Sequence, residues 1–491
     1  MSNRGCGPPS YVSRRDFIRN LAAGAGATLL APGWIAGCAR RPPPLTAAAD
    51  SGWAAVPEIL DRIRVPEFPA RTFSITDFGA AGDGVTDCTA LFGRALAACH
   101  DAGGGRVVVP AGRFLTGPIR LRSNVNLHVE EDAAVLFSTE PSAYPRVFTR
   151  WEGVELMSHS PLVYAFEERN IAITGAGVLD GQAEETNWWP WKGAWKTHAE
   201  WADVPNQLAD RDRLFRMAEE GVPVSQRVFG AGHYLRPQFI QPYRCTNVLI
   251  EGVSIRRSPM WQVHPVLCRN VTIRGLDIVS HGPNNDGCNP ESCQDVSIED
   301  CSFDTGDDCI AIKSGRNRDG RRLGVPSENI VIRGCRMKDG HGGVTIGSEI
   351  SGGVHDVYTE DCVMDSPNLD RALRLKTNAM RGGVIERIRM RDVRVGQVSD
   401  AVVHIDFHYE EGADGDYLPT VRDIDIRTLT SNRSPYALYL RAFPDAPITG
   451  VHLADCRFEN VDNENVLEYV EDIDLDDVWI NGESVSAVAN P

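Results

Sequence analysis

Short phrases of alternating apolar and polar residues recur along the chain, each opened by asparagine or aspartate. The clearest are Asn247–Gly252, Asn270–Gly275, Asp295–Asp300, Asn329–Gly334 and Asp356–Asp361, with a fainter Asp423–Arg427. Asn126–Val129 and Asn170–Gly175 are earlier relatives. Alternation with period two marks a half-buried strand, and the lead Asn or Asp suits a turn that can stack on its equivalents. Repeats of roughly 20 to 35 residues built from short strands indicate a solenoid. A leucine-rich repeat would need a leucine ladder, and propeller blades are longer, so the pattern predicts an all-β, single-stranded parallel β-helix. Residues 84–99 carry helical spacing (Val85, Leu91, Phe92, Ala95, Leu96), which predicts a helix capping the N-terminal end. Residues 182–240 read as an insertion holding Trp188, Trp189, Trp191, Trp195 and Trp201, five of the ten tryptophans. Most of these rings should pack the insertion down, with one or two lining a cleft.

The first residues follow other rules. Ser13–Arg19 carries a twin arginine, Leu21–Gly37 is weakly apolar, and Ile35–Cys38 has the form of a lipobox. Residues 1–37 are therefore expected to be an export signal of twin-arginine and lipoprotein type, with Cys38 lipidated; a plain signal peptide is the simpler alternative. Residues 38–70, opening on Arg41–Pro44, read as a tether, and 71–491 as the β-helix domain. The expected destination is the periplasm or the outer membrane at the cell surface. No apolar run is long enough for a transmembrane helix.

The net charge of −17 falls to −20 once the +3 of residues 1–37 is removed, which opposes binding to nucleic acid. An anionic substrate would need cations gathered at its site. Thirteen cysteines suggest disulfides, yet without Cys6 and Cys38 the count is odd. Cys301, Cys335, Cys362 and Cys456 follow strand phrases, so they read as buried thiols stacked inside the coil.

Three motifs carry chemistry against this background: Asn284–Gly287, Gly306–Cys309 and Gly340–Gly342. Adjacent acids are usually a solvated turn, but Asp307 and Asp308 sit one coil after Asp286 and precede the apolar run Cys309–Ile312. Stacked coils lie roughly 4.8 Å apart, so the three carboxylates should cluster, and one should hold a proton near neutral pH. His341, flanked by glycine, reads as an orienter of these acids rather than a metal ligand. Arg374 and Lys376 share a strand face, with Leu375 turned inward, and form an anion-binding spot; Lys313 could add a third cation.

In this order, Asn284-x-Asp286, Gly306-Asp307-Asp308, Gly340-His341-Gly342 and Arg374-x-Lys376 resemble the polygalacturonases, the family 28 glycoside hydrolases. Asp77–Gly84 and Ser258–Trp261 look like that family too, and the similarity runs from Phe73 to at least Thr377. The resemblance implies a right-handed parallel β-helix, no metal or other cofactor, and hydrolysis of α-1,4-galacturonosidic bonds with inversion. It makes Asp307 the general acid, Asp286 and Asp308 the pair that activates water, and His341 the support of the acid. Arg374 and Lys376 would grip a galacturonate carboxylate, with Asn284 and Lys313 as further substrate contacts. Asn285 stands where many members have Thr, and Leu375 where many have Ile; neither is a reacting group. The Trp-rich insertion and Lys313–Gly320 look like bacterial exo-acting members. The expected partner is pectic polysaccharide, acted on by a monomer. Rhamnogalacturonan or xylogalacturonan hydrolysis, a calcium-dependent pectate lyase and a non-catalytic polysaccharide-binding β-helix are the alternatives.

Overall fold

The computed structural model describes residues 52–486, so the signal segment, Cys38 and the start of the tether lie outside the described residues. Asn170, Asn247, Asn270, Asp295, Asn329, Asp356 and Asp423 sit at positive φ, between 51° and 59°. Asn and Asp tolerate this left-handed region because their short polar side chains bond locally. Each bends its strand at the same place in the coil, so the side chains stack. Asn170 Nδ2 donates to Asn124 Oδ1 (3.0 Å), Asn247 to Asn170 (2.8 Å) and Asn270 to Asn247 (2.6 Å). The ladder thus starts at Asn124, not at Asn126, which lies two residues on, inside the strand Val125–Val129. Aspartate has no proton to pass along, and arginines supply the donors from there: Arg62 to Asp295 and Arg387 to Asp356.

Most coils add three short strands. Gln294–Glu299, Ser302–Thr305 and Ile310–Ile312 form one coil; Ser327–Arg333, Arg336–Met337 and Val344–Gly347 form the next. Val354–Glu360, Val363–Met364 and Arg371–Lys376 follow. Each of these strands pairs in parallel with its equivalent one coil away. Parallel crossovers of this kind are right-handed. Inward residues form apolar columns, for example Val248, Val271, Val296, Ile330, Val357 and Ile388, all buried. Each buried Val or Ile adds about 2 kcal/mol to the stack.

All eleven described cysteines are buried and free. Cys301, Cys335 and Cys362 occupy one column, as expected, and Cys245, Cys268 and Cys293 a second.

Two expectations about the N-terminal region change. The capping helix is Thr89–Asp101, burying Phe92, Ala95, Leu96 and Cys99. Residues 83–87 are instead a strand paired with Gly112–Thr116, and Val85 is 76% exposed. The tether gives way by residue 52. Ala55–Arg62 is a helix whose Val56 and Ile59, with Trp53, pack on Val331 and Tyr358. The backbone of Arg64 then closes two hydrogen bonds with the Asn270 side chain. No helix among the described residues is long and apolar enough to cross a membrane.

The segment between strands Val178–Asp180 and Ile240–Tyr243 holds the helix Leu208–Glu219 and lies outside the coil, as expected of an insertion. It shares a satellite core with the hairpin of strands Arg146–Trp151 and Val154–His159, built on Trp151, Leu156, Leu214, Phe229, Met260 and Trp261.

Candidate active site

The second and third strands of a coil meet at a corner, and each chemical motif falls on one. Gly306–Cys309 joins Ser302–Thr305 to Ile310–Ile312, and Gly340–Gly342 precedes Val344–Gly347. The backbone fixes their stacking: Gly287 N donates to Asp308 O (3.0 Å) and Cys309 N to Gly342 O (2.8 Å). One carboxyl oxygen each of Asp286, Asp307 and Asp308 then lies within 4.8 Å of the others. A side chain on Gly342 would come within 2.3 Å of Thr345 Oγ1 and 3.1 Å of Asp308 Oδ1, so glycine there makes room for Thr345.

Each carboxylate has its own partners. Asp307 Oδ1 accepts from His341 Nδ1 and from Asp308 N, both at 3.0 Å, and Oδ2 has no hydrogen bond among the described residues. Asp308 is wholly buried; Oδ1 accepts from Thr345 (3.0 Å) and Arg374 (3.1 Å), and Oδ2 from Lys376 (2.7 Å). Asp286 Oδ2 accepts from Asn289 (2.7 Å) and lies 3.7 Å from Lys313 Nζ. A cation-chelating arrangement of the three acids would have to displace these positive groups from their oxygens. His281, Asp304 and Asp339 make a second close group, in which His281 Nε2 lies 2.7 Å from Asp304.

The environments drive the acids apart. Burial, reinforced by Asp307 and Asp308 against Lys313, pushes Asp286 up to about 8. Burial also raises Asp307, but His341, Lys376 and Arg374 outweigh it and hold the carboxyl far below the usual range. In Asp308, burial is likewise overcome, by Lys376 and Arg374. Asp307 in turn raises His341 against its own burial. The cluster therefore holds one carboxyl proton at neutral pH, as expected, but it rests on Asp286 rather than Asp307. Asp307 instead shares the proton of an imidazolium pair.

Four expected substrate contacts are placed differently from one another. Arg374 and Lys376 project together with Leu375 inward, as predicted, but both clamp Asp308. Lys313 is 2% exposed, bonded to Glu349 (3.1 Å) and Gly347 O (3.2 Å), and lies over Trp261; it braces Asp286 from below rather than lining an open groove. Asn284 is tied by Oδ1 to Arg236 (2.7 Å).

Arg236 and Tyr409 escaped the sequence reading. Arg236 is wholly buried and also bonds Pro259 O and Pro283 O, holding the loop that carries Asp286. Its single positive charge far from the motifs gave no signal. Tyr409 places its ring 5.2 Å from Lys376 Nζ and 5.7 Å from Arg374. It follows the strand Ala401–Asp406, one coil beyond Arg371–Lys376, so extending the strand-end column would have found it.

On the insertion, Trp188 and Trp201 are buried and Trp189 donates to Ser258 O (2.9 Å). A side chain on Gly282 would come within 2.2 Å of Trp189 Nε1, so the indole lies flush against the loop leading to Asp286.

Residues 231–482 match the family described as Glycosyl hydrolases family 28, and residues 72–128 one described as Rhamnogalacturonase A/epimerase, pectate lyase-like. A probable polygalacturonase of Vitis vinifera is 30% identical over 406 residues, 79% of this chain and 74% of that protein. An exo-poly-alpha-D-galacturonosidase of Dickeya chrysanthemi is 26% identical over 369 residues, 71% of this chain and 59% of the relative's length. Among solved structures, a hyperthermoactive exopolygalacturonase from Thermotoga maritima is 47% identical with a TM-score of 0.84, covering 89% of this chain and 97% of that one.

Proposed function

The chain belongs to the glycosyl hydrolases family 28, and on that premise we propose that it hydrolyses α-1,4-linked galacturonan from a chain end. One observation carries the reading: three clustered carboxylates stand beside two cations, Arg374 and Lys376, whose present partner is itself a carboxylate. A galacturonate next to the scissile bond offers the same group. In this reading it draws both cations from Asp308 and frees that carboxylate to accept a proton from water. Asp286, braced by Lys313 and Asn289, holds the water with Asp308. Asp307 protonates the leaving oxygen with the proton that His341 Nδ1 gives to its carboxyl, which leaves Asp307 ionised and His341 neutral. Asn284 contacts substrate beside Arg236.

The names of the Thermotoga and Dickeya relatives support exo action, as does the seating of Trp189 of the insertion against the loop leading to Asp286. The deciding experiment is a product profile on polygalacturonate: saturated monomers or dimers from the start support the reading, and a ladder of oligomers overturns the exo part. The match at residues 72–128 favours rhamnogalacturonan as the second reading, and the same profile on that polymer decides between them. Inversion is part of the proposal. The nearest oxygens lie closer than the roughly 6.5–9.5 Å kept between inverting carboxyl groups, and proton NMR of the first-formed anomer tests it. Export through the twin-arginine route and lipidation at Cys38 rest on Ser13–Arg19 and Ile35–Cys38. Retention of an Arg14→Lys, Arg15→Lys variant in the cytosol would support the first, and loss of the lipid mass in Cys38→Ser the second.

A further inference from the structure

Residues 407–419 link the strands Ala401–Asp406 and Thr420–Arg427, and Tyr409 stands near the start of this loop. Its ring lies within cation–π range of Lys376 and Arg374, at 5.2 and 5.7 Å, but its phenol makes no hydrogen bond among the described residues. The ring is therefore placed by the backbone that carries it. That backbone is fixed at three successive residues. Asn378 Nδ2 donates to Tyr409 O (3.0 Å) and to Glu411 Oε2 (2.7 Å), while Asn378 Oδ1 accepts from Met380 N and Arg381 N. Glu410 Oε2 accepts from Arg381 Nη2 (2.7 Å) and from Arg316 Nη2 (3.2 Å). Glu411 reaches the same two guanidinium groups, at 3.5 Å from Arg316 and 3.4 Å from Arg381.

The anchors are interior charges. Arg381 is wholly buried and Arg316 is 6% exposed. Two buried cations that share one carboxylate oxygen need the acids between them, since a buried charge stripped of its partner is costly. Arg316 cannot follow a moving loop. Its backbone N donates to Gly153 O of the hairpin (3.1 Å), its guanidinium lies 4.0 Å over the ring of Phe215 in the helix Leu208–Glu219, and Nη1 bonds Glu349 (3.3 Å). Arg381 Nη1 bonds Asn317 (2.8 Å). Glu410 occupies the left-handed region at φ 51°, a conformation that a long side chain keeps only where its surroundings over-determine it. The side chains of Glu410 and Glu411 are 41% and 31% exposed, so core packing does not account for them.

We propose that Glu410 and Glu411 are positioning residues for substrate selection: docked on Arg316 and Arg381, they hold Tyr409 against Arg374 and Lys376 and so keep both cations aimed at a free carboxylate. A methyl ester offers these cations no charge. Loosening the loop therefore costs the acid form of the substrate far more than the ester, whereas general damage to the fold would cost both alike. This inference rests on the reading of Arg374 and Lys376 as the grip on galacturonate.

The test measures kcat/KM on trigalacturonate and on its methyl ester, for the parent and for a variant carrying both Glu410→Gln and Glu411→Gln, checked by melting temperature and circular dichroism. Glutamine keeps the shape and removes the charge. The variant is expected to lose ~10-fold of the parent's preference for the acid, mostly through activity on the acid. Tyr409→Ala is expected to lose about as much. Combining it with the two glutamines is expected to add no further loss, because the glutamates act through Tyr409. Losses that multiply in the combined variant overturn the inference, as does a preference that Tyr409→Ala removes and the glutamines leave intact. Should the paired glutamines melt below the assay temperature, Glu411→Gln alone enters the same cycle. The parent separates the two failures: a parent that does not prefer the acid sinks the reading beneath, and one that prefers it while the cycle fails sinks this inference alone.

Discussion

Lys376 Nζ lies 2.7 Å from Asp308 Oδ2, so a cation expected to bind substrate is seated on a carboxylate expected to activate water. Such a pair can exchange partners: a substrate carboxylate takes the cation and releases the base. Lys376→Met should lower kcat/KM on unesterified oligogalacturonides on the order of 10²-fold or more, and less on methyl-esterified ones. Because Lys376 helps hold Asp308 ionised, its loss should also move the acidic limb of the pH–rate profile upward. Equal losses on both substrates with an unmoved limb would count against the exchange.

Asp307→Asn should abolish nearly all hydrolysis, with circular dichroism unchanged. Near-normal turnover would end its assignment as acid.

His341 titrates above its ordinary value because Asp307 faces it. The imidazolium is present below that raised pKa and lost as pH rises through it, so activity should show an alkaline limb there. His341→Asn should lower kcat on the order of 10²–10³-fold, with little change in KM, and should erase that limb. A variant profile with the parent's alkaline limb intact would assign the limb elsewhere.

Asp286 makes a prediction about stability. Its carboxyl titrates at about 8 in the folded chain against 3.8 for the free side chain, so between these values the folded state holds one proton more than the unfolded. Stability from this group is complete below about pH 4 and falls as pH rises to about 8. Asparagine cannot ionise. Asp286→Asn should therefore be inactive yet melt higher than the parent, by a margin that grows from pH 5 to pH 8.5. A margin constant across that range would contradict the raised pKa.

The eleven buried thiols should be silent to a thiol reagent in the native protein and all react after denaturation. A melting temperature unaffected by reductant is expected alongside; a reductant-sensitive one would point to disulfides.

The strands were legible because the Asn and Asp residues that open them do two visible jobs, bending the backbone and stacking. The slip from Asn124 to Asn126 arose because both begin an alternating run, and only φ separates them. Val85 misled because an exposed apolar residue in a strand imitates a helical position when helix Thr89–Asp101 follows at once. Asp286, Asp307, Asp308 and His341 were legible because coil stacking converts sequence interval into distance. The proton's resting place was not, since it depends on how burial and His341 divide charge among carboxyls of identical chemistry. Nor was the clamp of Arg374 and Lys376 on Asp308, which requires side-chain directions that spacing leaves open.

The segment from Asp180 to Ile240 leaves and rejoins the coil without shifting a rung: Asp180 still pairs with Arg256, and Ile240 with Val163. Such a scaffold separates two kinds of evolutionary freedom. The hydrolytic centre is locked by the pitch of the stack, whereas the excursion over it can be lengthened, trimmed or exchanged like an interchangeable visor. Grafting a different excursion between those rungs should change which polymers are admitted while the cutting chemistry stays as it is.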